Sequence, residues 1–232
     1  MKSAHALAGF ILLVLIADQF VLRNLKASAE PRRRLRAYRL ILVGEWVGTA
    51  WAAAVMGLCR LCYVMPSPEA LRFRPDPWIV VVLVIISLCM MAVPVVLVRI
   101  PSRASAIEKA MARLSYLLPQ TQRERLWWVF VSLTAGICEE CLFRSFLFWY
   151  LQSVPWRLGF SAAIAVACVL FALGHLYQGV LPALGTGALA FLFFVFFLGT
   201  GNLLLPIALH SITDMRVLLL TPRSPRPVLP QA

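Results

Sequence analysis

Gly136-Ile137-Cys138-Glu139-Glu140-Cys141-Leu142-Phe143-Arg144 is the stretch from which the rest of this chain is read. It sets two adjacent carboxylates and an arginine inside an apolar run, Leu126 to Leu151, that is long enough to cross a bilayer. A charged side chain at the centre of a membrane helix costs roughly 2.5–3.5 kcal/mol even on the mildest scale. Such a cluster is kept where the groups face a protein interior, pair with one another and act there. Two later apolar runs carry polarity of the same kind, Phe171-Ala172-Leu173-Gly174-His175 and His210-Ser211-Ile212-Thr213-Asp214.

The surrounding chain agrees with a membrane reading. Of 232 residues, 61% are hydrophobic and 14% are charged, and mean hydropathy is +0.84. Soluble domains sit nearer 45–50% apolar and about 25% charged. The expected fold class is therefore all-α, a polytopic membrane bundle of about seven helices. A net charge of +12 invites a nucleic-acid reading, but the basic residues fall between apolar runs. They act as topology signals and contacts to anionic lipid, with no nucleic acid implied.

Seven apolar segments follow in order, Ala6–Leu22, Leu40–Leu58, Trp78–Val98, Leu126–Leu151, Leu158–Tyr177, Leu181–Leu198 and Leu203–Leu220. Segment one is read as a retained helix rather than a signal peptide, since no small-residue cleavage site follows it. Asp18 near its end is read as solvated at the interface. A basic loop, Arg23 to Arg39, separates segments one and two. Pro66, Pro68, Pro75 and Pro77 exclude a continuing helix between Cys59 and Trp78. Pro94 is expected to kink segment three. Between Arg99 and Arg125, Ile107, Met111, Leu114 and Leu118 alternate with Arg103, Lys109 and Arg113, the pattern of a helix lying on the membrane surface.

Sixteen of the twenty-two Lys and Arg residues fall in the loop after segment one, the loop after segment three and the stretch from Arg216 onward. The positive-inside rule then puts the N-terminus outside and the C-terminus in the cytoplasm. Nineteen arginines against three lysines point to a GC-rich bacterial source and so to the inner (plasma) membrane. Three regions result: membrane helices and basic loops over 1–125, a core carrying the polar motifs over 126–220, and a disordered tail over 221–232. Of the six cysteines, most lie in apolar runs as small hydrophobes, and the lone Cys59-x-x-Cys62 lacks the companion ligands of a zinc site.

Residues four apart share a helix face, whereas neighbours diverge by about 100°. Glu140 therefore pairs with Arg144, and Glu139 is left to face a cavity, the position of a general base. Glu45, one turn inside segment two, is read as interfacial or turned inward. His175 stands beside the Phe171 ring, and Asp214 shares a face with His210. Depth poses a difficulty. At 1.5 Å per residue, Glu139 lies about 20 Å along segment four and His175 about 26 Å along segment five from the opposite side. The two meet only if segment five starts late, near Ala163, or the helices tilt strongly.

The ordered set EExxxR, FxxxH and HxxxD, each on its own apolar segment between Trp127 and Met215, resembles the CPBP/Abi family of intramembrane proteases, which includes the type II CAAX prenyl endopeptidases. Asp214 departs from the pattern, since many members carry asparagine there. The resemblance implies a multi-pass endopeptidase acting on a membrane-anchored protein or peptide. In eukaryotic relatives the substrate is a prenylated tail, and bacterial relatives are linked to bacteriocin maturation, immunity or processing of anchored proteins. It implies catalytic roles for Glu139, Glu140, Arg144, His175, His210 and Asp214. Glu139 with His175 is expected to activate water, and His210 with Asp214 to serve the oxyanion side.

No cofactor is expected. Zinc held by Glu139, His175, His210 and Asp214 is the alternative, although no HExxH helix occurs. Two other readings compete, a non-enzymatic immunity or scaffold protein and a proton-coupled transporter. The latter should carry an internal repeat, and the Glu-Glu-x-x-x-Arg helix has no second copy.

Overall fold

Every regular element among the described residues is helical, apart from one antiparallel bridge between Tyr63 and Asn202. The computed structural model describes residues 1–27, 30–64, 67–153 and 155–221. The Asp18 side chain and the tail from residue 222 lie outside the described residues.

Helices α1 (Lys2–Ala27) and α2 (Pro31–Met56) extend well into the stretch expected to be a basic loop. Pro31 supplies the fixed φ that suits a first helical position, and only three residues separate the two helices. The proline-rich link holds two one-turn helices, α3 (Leu58–Cys62) and α4 (Pro68–Arg72). Helix α5 (Pro77–Leu97) is started by Asp76, whose Oδ1 accepts the Trp78 N–H at 2.8 Å, and contains Pro94. Within the second basic loop a helix forms, α6 (Pro101–Arg113).

The chain then enters a span of 31 residues, Gln122–Gln152. It consists of α7 (Gln122–Glu139), a π-helix (Glu140–Leu147) and α8 (Phe148–Gln152). A reciprocal cap opens it: Thr121 accepts the Glu124 N–H, and Glu124 Oε2 accepts the Thr121 N–H at 2.9 Å. Helices α9 (Phe160–Gly174), α10 (Val180–Thr200), α11 (Leu204–Met215) and α12 (Val217–Leu220) complete the bundle.

Five of these elements have the length and hydropathy to cross a membrane among the described residues, fewer than the seven expected. The two that fall short are the segments bearing the histidines. Segment five begins at Phe160, later than its apolar run, and stops at Gly174, so His175 is the residue just beyond the helix. Segment seven breaks at Arg216. At 15 residues, α9 is about 22 Å long, so its later start moves His175 by only about 3 Å and most of the depth mismatch remains.

Within an 18-residue apolar window of the Gln122–Gln152 span 56% is buried, against 17 to 33% for the corresponding windows of the other four spans. That element is therefore the axis of the bundle. Phe146, Leu142 and Phe143 on it pack with Phe171, Phe194 and Leu7 in the main core. Helix α7 lies against both α2 and α11. Gly136 is what permits the second crossing, since a Cβ there would stand 2.1 Å from Ser211 Oγ and 3.0 Å from the Ile207 carbonyl oxygen.

Candidate active site

One turn beyond that crossing, α7 changes its winding between the two glutamates. Glu139 is the last α-helical residue and Glu140 the first of the π-helix. Backbone bonds there run i to i+5, a departure found mostly as short insertions and often at functional sites. The sequence spacing suggested an unbroken α-helix, and nothing in residue type marked the change.

The expected pair is present in the wider winding. Arg144 Nε lies 3.0 Å from Glu140 Oε2, and neither side chain is exposed. The guanidinium is further enclosed by aromatic faces, 4.4 Å from the Phe171 ring centre, 5.4 Å from Phe193 and 5.9 Å from Phe194. A desolvated cation over a ring gains about 2 kcal/mol. Phe171 therefore serves two partners, Arg144 as well as His175. The α10 phenylalanines could not be assigned to the site from sequence, because α10 carries no polar motif.

His210 joins the cluster from α11. Its Nδ1–H donates to Glu140 Oε1 at 2.7 Å. Its Nε2 lies 3.7 Å from Glu139 Oε2 and 3.7 Å from Asp214 Oδ2. Sequence spacing paired His210 with Asp214 alone, whereas its shortest bond is to Glu140. Exposure rises across the cluster, from 0% for Glu140 and 8% for His210 to 20% for Glu139 and 35% for Asp214. The Glu140–Arg144 side is a sealed floor, and Glu139 and Asp214 form the accessible side. Trp128 Nε1–H donates to the Asp214 carbonyl at 3.1 Å, tying the end of α11 to α7.

His175 approaches from the end of α9. Its Nδ1 is 2.8 Å from the Phe171 carbonyl oxygen. A carbonyl can only accept, so Nδ1 carries the proton, and in a neutral ring Nε2 keeps its lone pair. The imidazole lies 4.6 Å from the Phe171 ring, ring centre to ring centre, and Phe171 lies 6.2 Å from His210. His175 is within electrostatic reach of Asp214 and His210. It makes no direct ion pair with Glu139 among the described residues. Tyr177, two residues on, is within electrostatic reach of both Glu139 and Asp214, with its ring 5.9 Å from His175. It carried no motif and was not anticipated.

The third histidine, His5, is 2.7 Å from the Tyr150 hydroxyl and takes no part in the cluster. Glu45 lies within electrostatic reach of Cys138 on the face of α7 toward α2. Among the described residues, no three His, Cys, Asp or Glu side chains are arranged to hold a metal ion.

Residues 121–216 match the family model for the Rce1-like type II CAAX prenyl endopeptidases. The similarity covers 96 of the 232 residues, and over these residues the chain resembles that family. The matched region begins at the α7 cap and ends just past Asp214, so it holds every residue of the cluster. No curated protein and no solved structure matches the chain. The five membrane-length helices make this a multi-pass membrane protein, and its residues 121–216 are similar to CAAX-type endopeptidases.

Proposed function

We propose that the cluster hydrolyses a peptide bond of a membrane-anchored protein or peptide with a water activated by Glu139 and His175. The observation that carries this reading is the position of His210, fixed on one nitrogen by Glu140 and turned with the other toward Glu139 and Asp214.

Hydrolysis needs a base for water, a donor for the developing oxyanion and an acid for the leaving amine. Glu139 Oε2 is buried without a hydrogen-bond partner, which leaves it a lone pair for a water proton. His175 Nε2 provides a second acceptor, set by the bond at Nδ1. The water oxygen attacks the carbonyl carbon, and the proton passes to Glu139. The tetrahedral oxyanion is met by His210, carrying protons on both nitrogens, with Asp214 orienting Nε2. As the C–N bond breaks, the proton held by Glu139 goes to the amine nitrogen. Arg144 and Glu140 touch no reacting atom; they hold His210 in place.

Access from the bilayer is supported by a groove of about 270 Å³ along α1 and α9, lined by Leu12, Leu15, Ile16, Phe20, Leu170, Leu173 and Gly174. Its wall ends one residue from His175. The proposed topology keeps the N-terminus outside and the C-terminus in the cytoplasm.

The proposed chemistry needs no metal, and among the described residues no three His, Cys, Asp or Glu side chains are arranged to hold one. The test is cleavage of a lipid-anchored fluorogenic peptide library by detergent-purified protein before and after exhaustive chelation. Cleavage that survives chelation and is lost in His175→Ala supports the reading. Cleavage abolished by chelation and restored by zinc overturns its chemistry.

A further inference from the structure

Helices α1 and α2 form a hairpin whose connected ends stand apart enough to leave a cleft of about 310 Å³. Val21 and Leu25 line it from α1, and Arg33, Arg36, Ala37 and Leu40 line it from α2. Leu25 and Ala37 form its buried floor, Val21 is half-buried and Leu40 is exposed at its side, and the two arginines lie near the α2 N-terminal end.

Helix length places those arginines. At 26 residues, α2 is about 39 Å long, roughly 9 Å more than a hydrocarbon core of about 30 Å. Its first two turns carry the arginines and precede the apolar run that starts at Leu40, so the excess length lies in the headgroup layer. An interfacial marker agrees: the Arg39 guanidinium lies 5.2 Å over the ring of Trp127, at the start of α7.

The arginine row divides its labour. Arg34 turns inward, and its Nε donates to Glu124 Oε1 at 2.9 Å in a fully buried pair. Arg33 and Arg36 turn to the cleft. Arg33 lies 3.8 Å from Glu30, but both side chains are more than half exposed, so that pair is weak and screened. Cations outermost with aliphatic side chains below them match a phosphate headgroup followed by an acyl chain.

We propose that the α1–α2 cleft binds one anionic phospholipid, its phosphate between Arg33 and Arg36 and an acyl chain along Val21, Leu25, Ala37 and Leu40. The site is separate from the Glu139–His210 cluster and does not depend on the chemistry assigned to it.

The test is native mass spectrometry of the detergent-purified full chain, titrated with phosphatidylglycerol or phosphatidylcholine. Wild type is compared with Arg33→Gln/Arg36→Gln, with Arg33→Lys/Arg36→Lys, and with Arg99→Gln/Arg103→Gln as a basic control away from the cleft. Wild type is expected to hold phosphatidylglycerol on the order of 10- to 30-fold more tightly than phosphatidylcholine. That preference should vanish in the glutamine pair, and persist in the lysine pair and the control. Equal retention of both lipids by wild type overturns the proposal, as does an equal loss in the control. Displacement by glycerol phosphate at the concentration where phosphatidylglycerol binds also overturns it, since the acyl wall would then contribute nothing.

Discussion

His210 Nδ1–H donates to Glu140 Oε1 at 2.7 Å, while the other oxygen of the same carboxylate faces Arg144 at 3.0 Å. One buried carboxylate thus fixes a residue from α11 and a residue from its own helix. The two adjacent glutamates have different work. Glu140 holds the site together, and Glu139 faces outward from it.

That division predicts opposite phenotypes for neighbouring substitutions. Arg144→Gln leaves Glu140 with less compensation in an apolar setting and should cost about 3–5 kcal/mol of stability. Glu139→Gln should leave stability within about 1 kcal/mol of wild type. Thermal unfolding in detergent checks both, and equal destabilisation by the two would contradict the assignment.

The aromatic cage around Arg144 gives a second expectation. Phe171→Leu keeps most of the apolar volume but removes the ring face 4.4 Å from the guanidinium. A loss of about 1–2 kcal/mol is expected, and it should shrink when Arg144 is already changed to Met. Additive losses in that double-mutant cycle would show that the ring and the cation act independently.

The α7–α11 crossing is tested at Gly136. A methyl group there would meet Ser211 Oγ at 2.1 Å and two backbone atoms at 3.0 and 3.1 Å. Gly136→Ala should cost about 1–3 kcal/mol through overpacking and lower kcat more than it raises KM, because Glu139 and His210 sit on the two helices being forced apart. Ser211→Gly should restore part of the loss, since the backbone contacts remain. Measured kcat and KM for the three variants decide the point.

Much of this arrangement could be read in the residues themselves. The Glu140–Arg144 pair followed from i, i+4 spacing and the cost of charge in lipid, whereas matching depths put the start of segment five near Ala163 and the helix starts three residues earlier, at Phe160. The rest depended on geometry that residue types do not encode. The π-helix places its first residue at Glu140 without any glycine or proline to announce it. Phe193 and Phe194 look like ordinary apolar residues of a membrane helix until α10 is seen beside Arg144. Arg34 counted as one more topology signal, yet it is buried against Glu124 at the cap of α7. Seven apolar runs became five membrane-length helices because Gly174 and Arg216 end α9 and α11 early.

The buried Arg34–Glu124 pair carries its own prediction. Glu124 Oε2 also accepts the Gln120 and Thr121 backbone N–H groups, each at 2.9 Å. Glu124→Ala therefore removes an ion pair and a helix cap together, and should cost about 3–5 kcal/mol. Glu124→Gln should recover the smaller capping share. Hydrogen exchange at residues 120–125 is the direct readout, with faster exchange in Glu124→Ala and protection intermediate between that and wild type in Glu124→Gln.

The most direct test of the proposed chemistry is the single-turnover cleavage rate of a lipid-anchored peptide by wild type and by Glu139→Gln, both confirmed to unfold at the same temperature. The account predicts a fall of about 100- to 10,000-fold on losing the base. A Glu139→Gln protein that cleaves at the wild-type rate would contradict it.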